Sequence, residues 1–209
     1  MDEVLICCST PRESEGLPSN IAGRTVRILE TGVGPVNAAF ALTRALTATP
    51  TSIVIICGVG GAYPGSGLDI GEAVCASTER FGDLGAESAE GFLELPALGF
   101  PIVHGRPADS AVLTLDLFPL ERRVPFVTCA TCSGTDARAA ELAQRTGGAV
   151  ESMEGAALVQ VAQLMGARVA EVRGISNHAG RRDRSAWRID EAAAAARAAV
   201  VAWIEGGAC

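Results

Sequence analysis

The chain has 209 residues, 48% of them hydrophobic, which suits one compact domain with a sizeable core and excludes wholesale disorder. Its formal net charge is −7, and all 17 basic residues are arginine; without a basic stripe, a nucleic-acid partner is not expected. The lack of lysine also excludes Schiff-base catalysis and a complete Walker A loop, and two histidines far apart, His104 and His178, make a histidine-built zinc site improbable.

No apolar run reaches the length of a membrane helix. The start, Met1-Asp2-Glu3 leading into an apolar run, lacks the basic region and small-residue cleavage site of a signal peptide, so a cytoplasmic location is expected. Seven cysteines, at 7, 8, 57, 75, 129, 132 and 209, form an odd set placed mostly in apolar runs. They read as buried thiols of a reducing compartment. Cys129 and Cys132 match C-x-x-C, but no second pair completes a metal site.

In chain order, β-branched runs predict strands at Val4–Cys8, Thr25–Leu29, Ile53–Cys57, Ala73–Thr78, Phe126–Ala130 and Ala167–Ile175. Longer periodic stretches predict helices at Pro35–Thr47, Asp136–Thr146, Met153–Met165 and Ile189–Ile204. This alternation indicates an α/β fold, a single domain over 1–209 with a central sheet flanked by helices. Phe81 to Gly105 is rich in Gly, Pro and acid, and reads as a functional or interface loop.

Ligands of open α/β sheets bind beyond the carboxyl ends of the strands. The residues there are Ser9–Glu15, Gly32–Asn37, Gly58–Gly65, Thr131–Thr135, Glu151–Glu154 and Ser176–Asp183. Gly32-Val33-Gly34 and Gly58-Val59-Gly60-Gly61 are incomplete as dinucleotide fingerprints. Each could be a tight turn, or let backbone approach a planar or polyhydroxyl ligand. Glu154 falls in the first turn of an apolar helix, where a carboxylate could simply complement the helix dipole. Thr10-Pro11-Arg12-Glu13-Ser14-Glu15 adds two carboxylates at another strand end, and Asn177 follows a buried strand.

Four blocks in order, Gly32-x-Gly34-x-x-x-Ala38-Ala39, Gly58-x-Gly60-Gly61, Met153-Glu154-Gly155-Ala156-Ala157 and Arg173-Gly174-Ile175-Ser176-Asn177, resemble the purine nucleoside phosphorylase and nucleosidase superfamily. Within it, Thr10-Pro11-x-Glu13, Asp83-Leu84-Gly85-Ala86-Glu87, Glu151-x-Met153-Glu154-Gly155 and the run from Ser176 to Trp187 resemble the futalosine hydrolases, which release hypoxanthine from futalosine in a menaquinone pathway. The resemblance implies a three-layer sandwich around a mixed sheet, a small-molecule purine nucleoside as substrate, no cofactor, no metal and a homo-oligomer.

It also implies roles. Glu13 would activate water, with Glu15 as its competitor; Glu154 would hold the ribose hydroxyls; Met153 would pack on the sugar; Asn177 would face the purine edge. Gly60, Gly61, Thr131 and Ser133 would border the base. Arg182 and Arg184, with Arg181 and Trp187 nearby, would meet the group on the ribose 5′ carbon, a benzoate in futalosine. A phosphorylase is the rival reading and would need arginines near the ribose, for which Arg12 is the candidate. A nucleoside-binding module without chemistry is the non-enzymatic alternative.

Overall fold

A computed structural model describes residues 3–207; Cys209 and the first two residues fall outside them. Strand β1 (Val4–Cys8) leads into a one-turn helix α1 (Pro11–Ser14), then β2 (Asn20–Ile21), β3 (Arg24–Glu30), α2 (Pro35–Ala48) and the ten-residue β4 (Ile53–Ala62). Next come β5 (Ala73–Phe81), a hairpin of β6 (Gly85–Ser88) and β7 (Gly91–Glu94), β8 (Leu113–Thr114) and β9 (Arg123–Thr128). The chain closes with α3 (Asp136–Thr146), β10 (Val150–Ser152), α4 (Gly155–Leu164), β11 (Arg168–His178) and α5 (Ile189–Glu205).

The main sheet runs β10-β9-β5-β11-β4-β1-β3-β2, with β8 beside β5. It is mixed: β1, β3, β4 and β11 are parallel neighbours, whereas β5 meets β11 antiparallel. It also curls, because β10 pairs with both β9 and the far end of β4. That closure sets Glu151 opposite Gly61.

Strand alternation builds the layers. Leu5, Cys7, Val54 and Ile56 face one way and pack with Leu42 and Leu46 of α2 and Leu158, Val159 and Ala162 of α4. Val4, Ile6, Ile53 and Ile55 face the other way, against Ala196, Val200 and Ile204 of α5. Those three residues of α5 recur at four-residue spacing, so a largely alanine helix lies close on the sheet. Each fully buried Leu or Ile contributes about 1.5–3 kcal/mol. The expected central strands and helices are therefore present, and the architecture is the single α/β domain with a mixed central sheet.

Several boundaries differ from expectation. β4 runs five residues past Cys57, so the Gly58–Gly61 cluster is sheet and not turn. β11 likewise continues through Asn177. The helix expected from Met153 starts at Gly155; Glu154 is its cap residue with a non-helical φ of −133° and makes no side-chain cap hydrogen bond. Phe81–Gly105 is not structureless. Its hairpin is pinned by Arg80 bonding both oxygens of Glu94 at 2.6 Å, and Arg145 lies 4.2 Å over the Phe92 ring. Five of the six described cysteines are buried as expected, but Cys132 is only partly so.

Candidate active site

One cavity of about 590 Å³ opens at the carboxyl ends of β1, β4 and β11. Of the expected residues, Glu13, Glu154, Met153, Gly60, Gly61, Ser133, Asn177 and Arg182 line it, together with Arg12, Arg181 and Trp187. Glu15, Thr131 and Arg184 are exposed and stand outside its wall. In place of Thr131, Cys132 lines the wall beside Ser133.

Glu13 is the third residue of α1, where its carboxylate folds back to accept from the Thr10 backbone N at 2.9 Å and hydroxyl at 3.0 Å. Its other oxygen accepts from Val59 N at 3.0 Å. A one-turn helix has little stability alone. Here the capping box and the reach to β4 fix both oxygens of one carboxylate, whose residue is 95% buried yet lines the cavity.

Glu154 turns away from its own helix. Oε1 accepts from Gly34 N at 2.9 Å, a backbone donor supplied by a glycine at φ +93° just before α2. Oε2 lies 3.8 Å from Arg173 Nη1, beyond hydrogen-bond range, and so keeps capacity for a ligand's hydroxyl groups. The helix-cap alternative for Glu154 does not hold, because the backbone it serves belongs to another element.

Arg173 is the residue whose role the sequence concealed. It is 1% exposed, on β11, with Nε bonded to Glu171 at 2.8 Å and Nη1 reaching Val59 O at 3.3 Å. A Cβ on Gly58 would stand 2.5 Å from Glu13 Oε1 and 2.6 Å from Arg173 Nη1, so these two groups flank that glycine. Absence of a side chain, and not a positive φ, is what this position requires. The guanidinium thus sits behind both cavity carboxylates. A charged pair inside an apolar strand was the available signal, since such groups are buried only when paired.

Toward the other end, Glu151 accepts from Ser133 N at 2.9 Å, Ser133 Oγ at 2.5 Å and Tyr63 Oη at 3.1 Å. It is thereby spent on holding the loop after β9. Burial, and then the Glu151 charge, push the Cys132 thiol up to about 11, so it stays protonated at neutral pH. Burial likewise pushes Cys129 up to about 12, which agrees with a structural reading of the C-x-x-C pair.

A register shift between Ile175 and Asn177 against β4 re-aims the strand end. Asn177 Oδ1 accepts from Ser176 Oγ at 2.7 Å, and Nδ2 donates to His178 O at 3.0 Å. With one amide hydrogen committed, the second remains to donate. At the mouth, Arg182 lies 5.0 Å over the Trp187 ring. Arg12 is held by Asp190 through two hydrogen bonds of 2.5 and 2.8 Å, which raise the arginine and lower the aspartate from their ordinary values.

Residues 7–205 match the family model for the phosphorylase superfamily. A futalosine hydrolase of Streptomyces coelicolor is 40% identical over 179 residues, 83% of this chain and 76% of that protein. One from Thermus thermophilus is 38% identical over 192 residues, covering 86% and 82%. In fold, the chain is similar to the methylthioadenosine/S-adenosylhomocysteine nucleosidase of Neisseria meningitidis, with TM-score 0.82 at 18% identity, covering 99% of this chain and 100% of that one. It is also similar to the futalosine hydrolase of Helicobacter pylori, with TM-score 0.80 at 14% identity and 98% of each chain. With two buried carboxylates and an amide facing one cavity, and relatives of this identity over most of its length, the chain belongs to the phosphorylase superfamily and, within it, to the futalosine hydrolases.

Proposed function

We propose that this protein hydrolyses the N-glycosidic bond of futalosine, releasing hypoxanthine and dehypoxanthine futalosine for menaquinone biosynthesis. The observation that carries this reading is the pair Glu13 and Glu154, each at least 95% buried, opening into one cavity with Arg173 behind them.

Cleavage of a ribosidic C–N bond passes through an oxocarbenium-like state. Glu13 takes a proton from the attacking water as that state forms. Glu154 Oε2 accepts from the ribose hydroxyls, an interaction that strengthens as the sugar becomes cationic. Met153 packs on the sugar. The free N–H of Asn177 donates to N7 or O6 of the departing base, offsetting the negative charge that collects there. Ser133, held by Glu151, and the strand backbone at Gly60 and Gly61 border the purine. Arg181 and Arg182, with Trp187, receive the benzoate of the 5′ extension, since guanidinium groups bind carboxylates well and an aromatic wall covers the ring.

Hydrolysis is favoured over phosphorolysis by the state of the arginines. Arg12 is ion-paired with Asp190 and Arg173 with Glu171, so the two guanidinium groups beside Glu13 are already engaged by carboxylates. Exposed Val36 and Phe40, four residues apart on α2 and close in sequence to Val33 of the cavity wall, support a homo-oligomer. No described helix is long and apolar enough to cross a membrane. The deciding experiment incubates the protein with futalosine, with and without phosphate. Free hypoxanthine without phosphate supports the proposal; release only with phosphate makes the protein a phosphorylase; intact substrate under both conditions leaves a binding module.

A further inference from the structure

Behind Arg173, away from the cavity, the fold buries two carboxyl groups that the reaction does not use. Glu79 on β5 is 0% exposed and Glu171 on β11 is 1% exposed. A Cβ on Gly155, at the start of α4, would stand 2.1 Å from Glu79 Oε1 and 2.5 and 2.6 Å from the two oxygens of Glu171. Both groups therefore crowd one point that only a glycine leaves open, which brings their oxygens close together.

Two ionised carboxylates can only repel at such a point; a hydrogen bond between them needs one to carry a proton. The partners show which. Glu171 Oε1 accepts from Arg173 Nε at 2.8 Å, an ion pair that needs Glu171 charged. Glu171 Oε2 has no N–H or hydroxyl donor, so it is orphaned unless Glu79 supplies the hydrogen. Thr128 Oγ1 donates to Glu79 Oε1 at 3.0 Å and Arg80 N donates to Oε2 at 2.8 Å; both favour an ionised Glu79 but are outweighed by its burial. Burial pushes Glu79 well up, and the neighbouring Glu171 charge adds to it. Burial also raises Glu171, but Arg173 opposes that. The charged groups facing the pair are Arg173 and, beyond it, Glu154 and Glu13. Four ionised carboxylates against one guanidinium would bury a large excess of negative charge, which the interior does not tolerate.

We propose that Glu79 and Glu171 share a single proton as an acid–carboxylate pair, and that this pair is the positioning device that holds Arg173 behind Glu13 and Glu154. The proposal rests on the reading of Glu13 and Glu154 given above. Neither Glu79 nor Glu171 touches substrate. Glu171 draws the guanidinium back by its Nε edge, which leaves Nη1 too far from Glu154 for a hydrogen bond and keeps Glu154 free for the ribose.

Three variants test this, each checked for a cooperative melt. Glu171→Gln removes the charge that holds Arg173 back, so the guanidinium moves onto Glu154 and Glu13. Its kcat/KM falls by about 10–100-fold, the range for lost supporting partners behind site residues, and the acid limb of its pH profile moves to lower pH. Glu79→Ala is impaired in the same way. Glu79→Gln, whose amide can donate to Glu171 as the acid does, restores activity and the wild-type profile. Infrared spectra of the intact enzyme give a readout independent of turnover: wild type keeps a protonated-carboxyl C=O band at neutral pH, and Glu79→Gln loses it. An unchanged pH profile in Glu171→Gln overturns the positioning role. Absence of the band, or Glu79→Gln as impaired as Glu79→Ala, overturns the shared proton. Full activity in Glu154→Gln would instead sink the reading of the site, and the band would still report on the pair.

Discussion

Gly58→Ala adds one methyl group that touches no substrate, yet its consequences follow directly from the geometry. The new Cβ would lie 2.5 Å from Glu13 Oε1 and 2.6 Å from Arg173 Nη1. Ordinary contact starts at 3.4 Å, so the gap must open by roughly 0.9 Å on the Glu13 side. Arg173 is fully buried and anchored by Glu171 and Val59 O, so it has little room to yield. Glu13 gives way instead, stretching its bond from Val59 N. Losing one hydrogen bond to a charged group costs about 1.5–3 kcal/mol, so the variant folds with a lowered melting temperature. A misplacement near 1 Å at the reacting centre can cost about 100-fold. Hypoxanthine release from futalosine, followed chromatographically, should therefore show kcat down by about 100-fold with KM little changed, because Glu154 is untouched. A folded Gly58→Ala enzyme with kcat within about twofold of wild type would remove Glu13 from the role of base.

Glu154→Gln replaces a charged acceptor with a neutral amide while leaving the shape, and turnover should fall by about 100-fold or more; near-normal activity would mean that the ribose is held elsewhere. Wild type should prefer a 6-oxopurine nucleoside over its 6-amino analogue by at least ~10-fold, since Asn177 donates where an ionised acid could only accept. Asn177→Asp should shrink or invert that ratio, most clearly at mildly acidic pH, and equal cleavage of both bases by wild type would show that Asn177 is not the selector. Arg182→Ala should raise KM for futalosine about 10-fold with little effect on inosine, while Arg184→Ala, outside the cavity wall, should change neither; equal effects on both substrates would end the 5′-clamp role. The raised folded-state value of Glu79 means the folded protein keeps a proton that the unfolded chain gives up above about pH 4.3, so this group erodes stability as pH rises. The melting temperature of Glu79→Gln relative to wild type should therefore climb from about pH 5 to pH 8, and a constant or shrinking difference would contradict a protonated Glu79.

The layers and most of the candidate site residues were written in local patterns. Apolar runs of strand length and the periodicity of Asp136–Thr146 and Ile189–Ile204 depend on near neighbours, and these two helices formed within a residue of where the pattern placed them while the strands shifted at their ends. Glu13, Glu154 and Asn177 stood out as candidates because each lies within a few residues of a strand's carboxyl end, where an α/β sheet exposes its ligands, while their roles came from the family resemblance. The extent of β4 was not legible, because its last residues are glycines with poor strand propensity. They stay extended because β11 and β10 supply ladder partners from more than 80 residues away. Thr131 and Arg184 were placed at the site by their distance from a strand or motif, whereas the turn of each loop directed Cys132 and Arg182 inward. The pairing of Arg12 with Asp190, and the cluster of Glu79, Glu171 and Arg173 behind the cavity, join residues from elements distant in sequence. Composition and spacing specify which side chains can be buried; the order of the sheet and the helices packed on it determine which charges meet, and so which of them are free to act on a substrate.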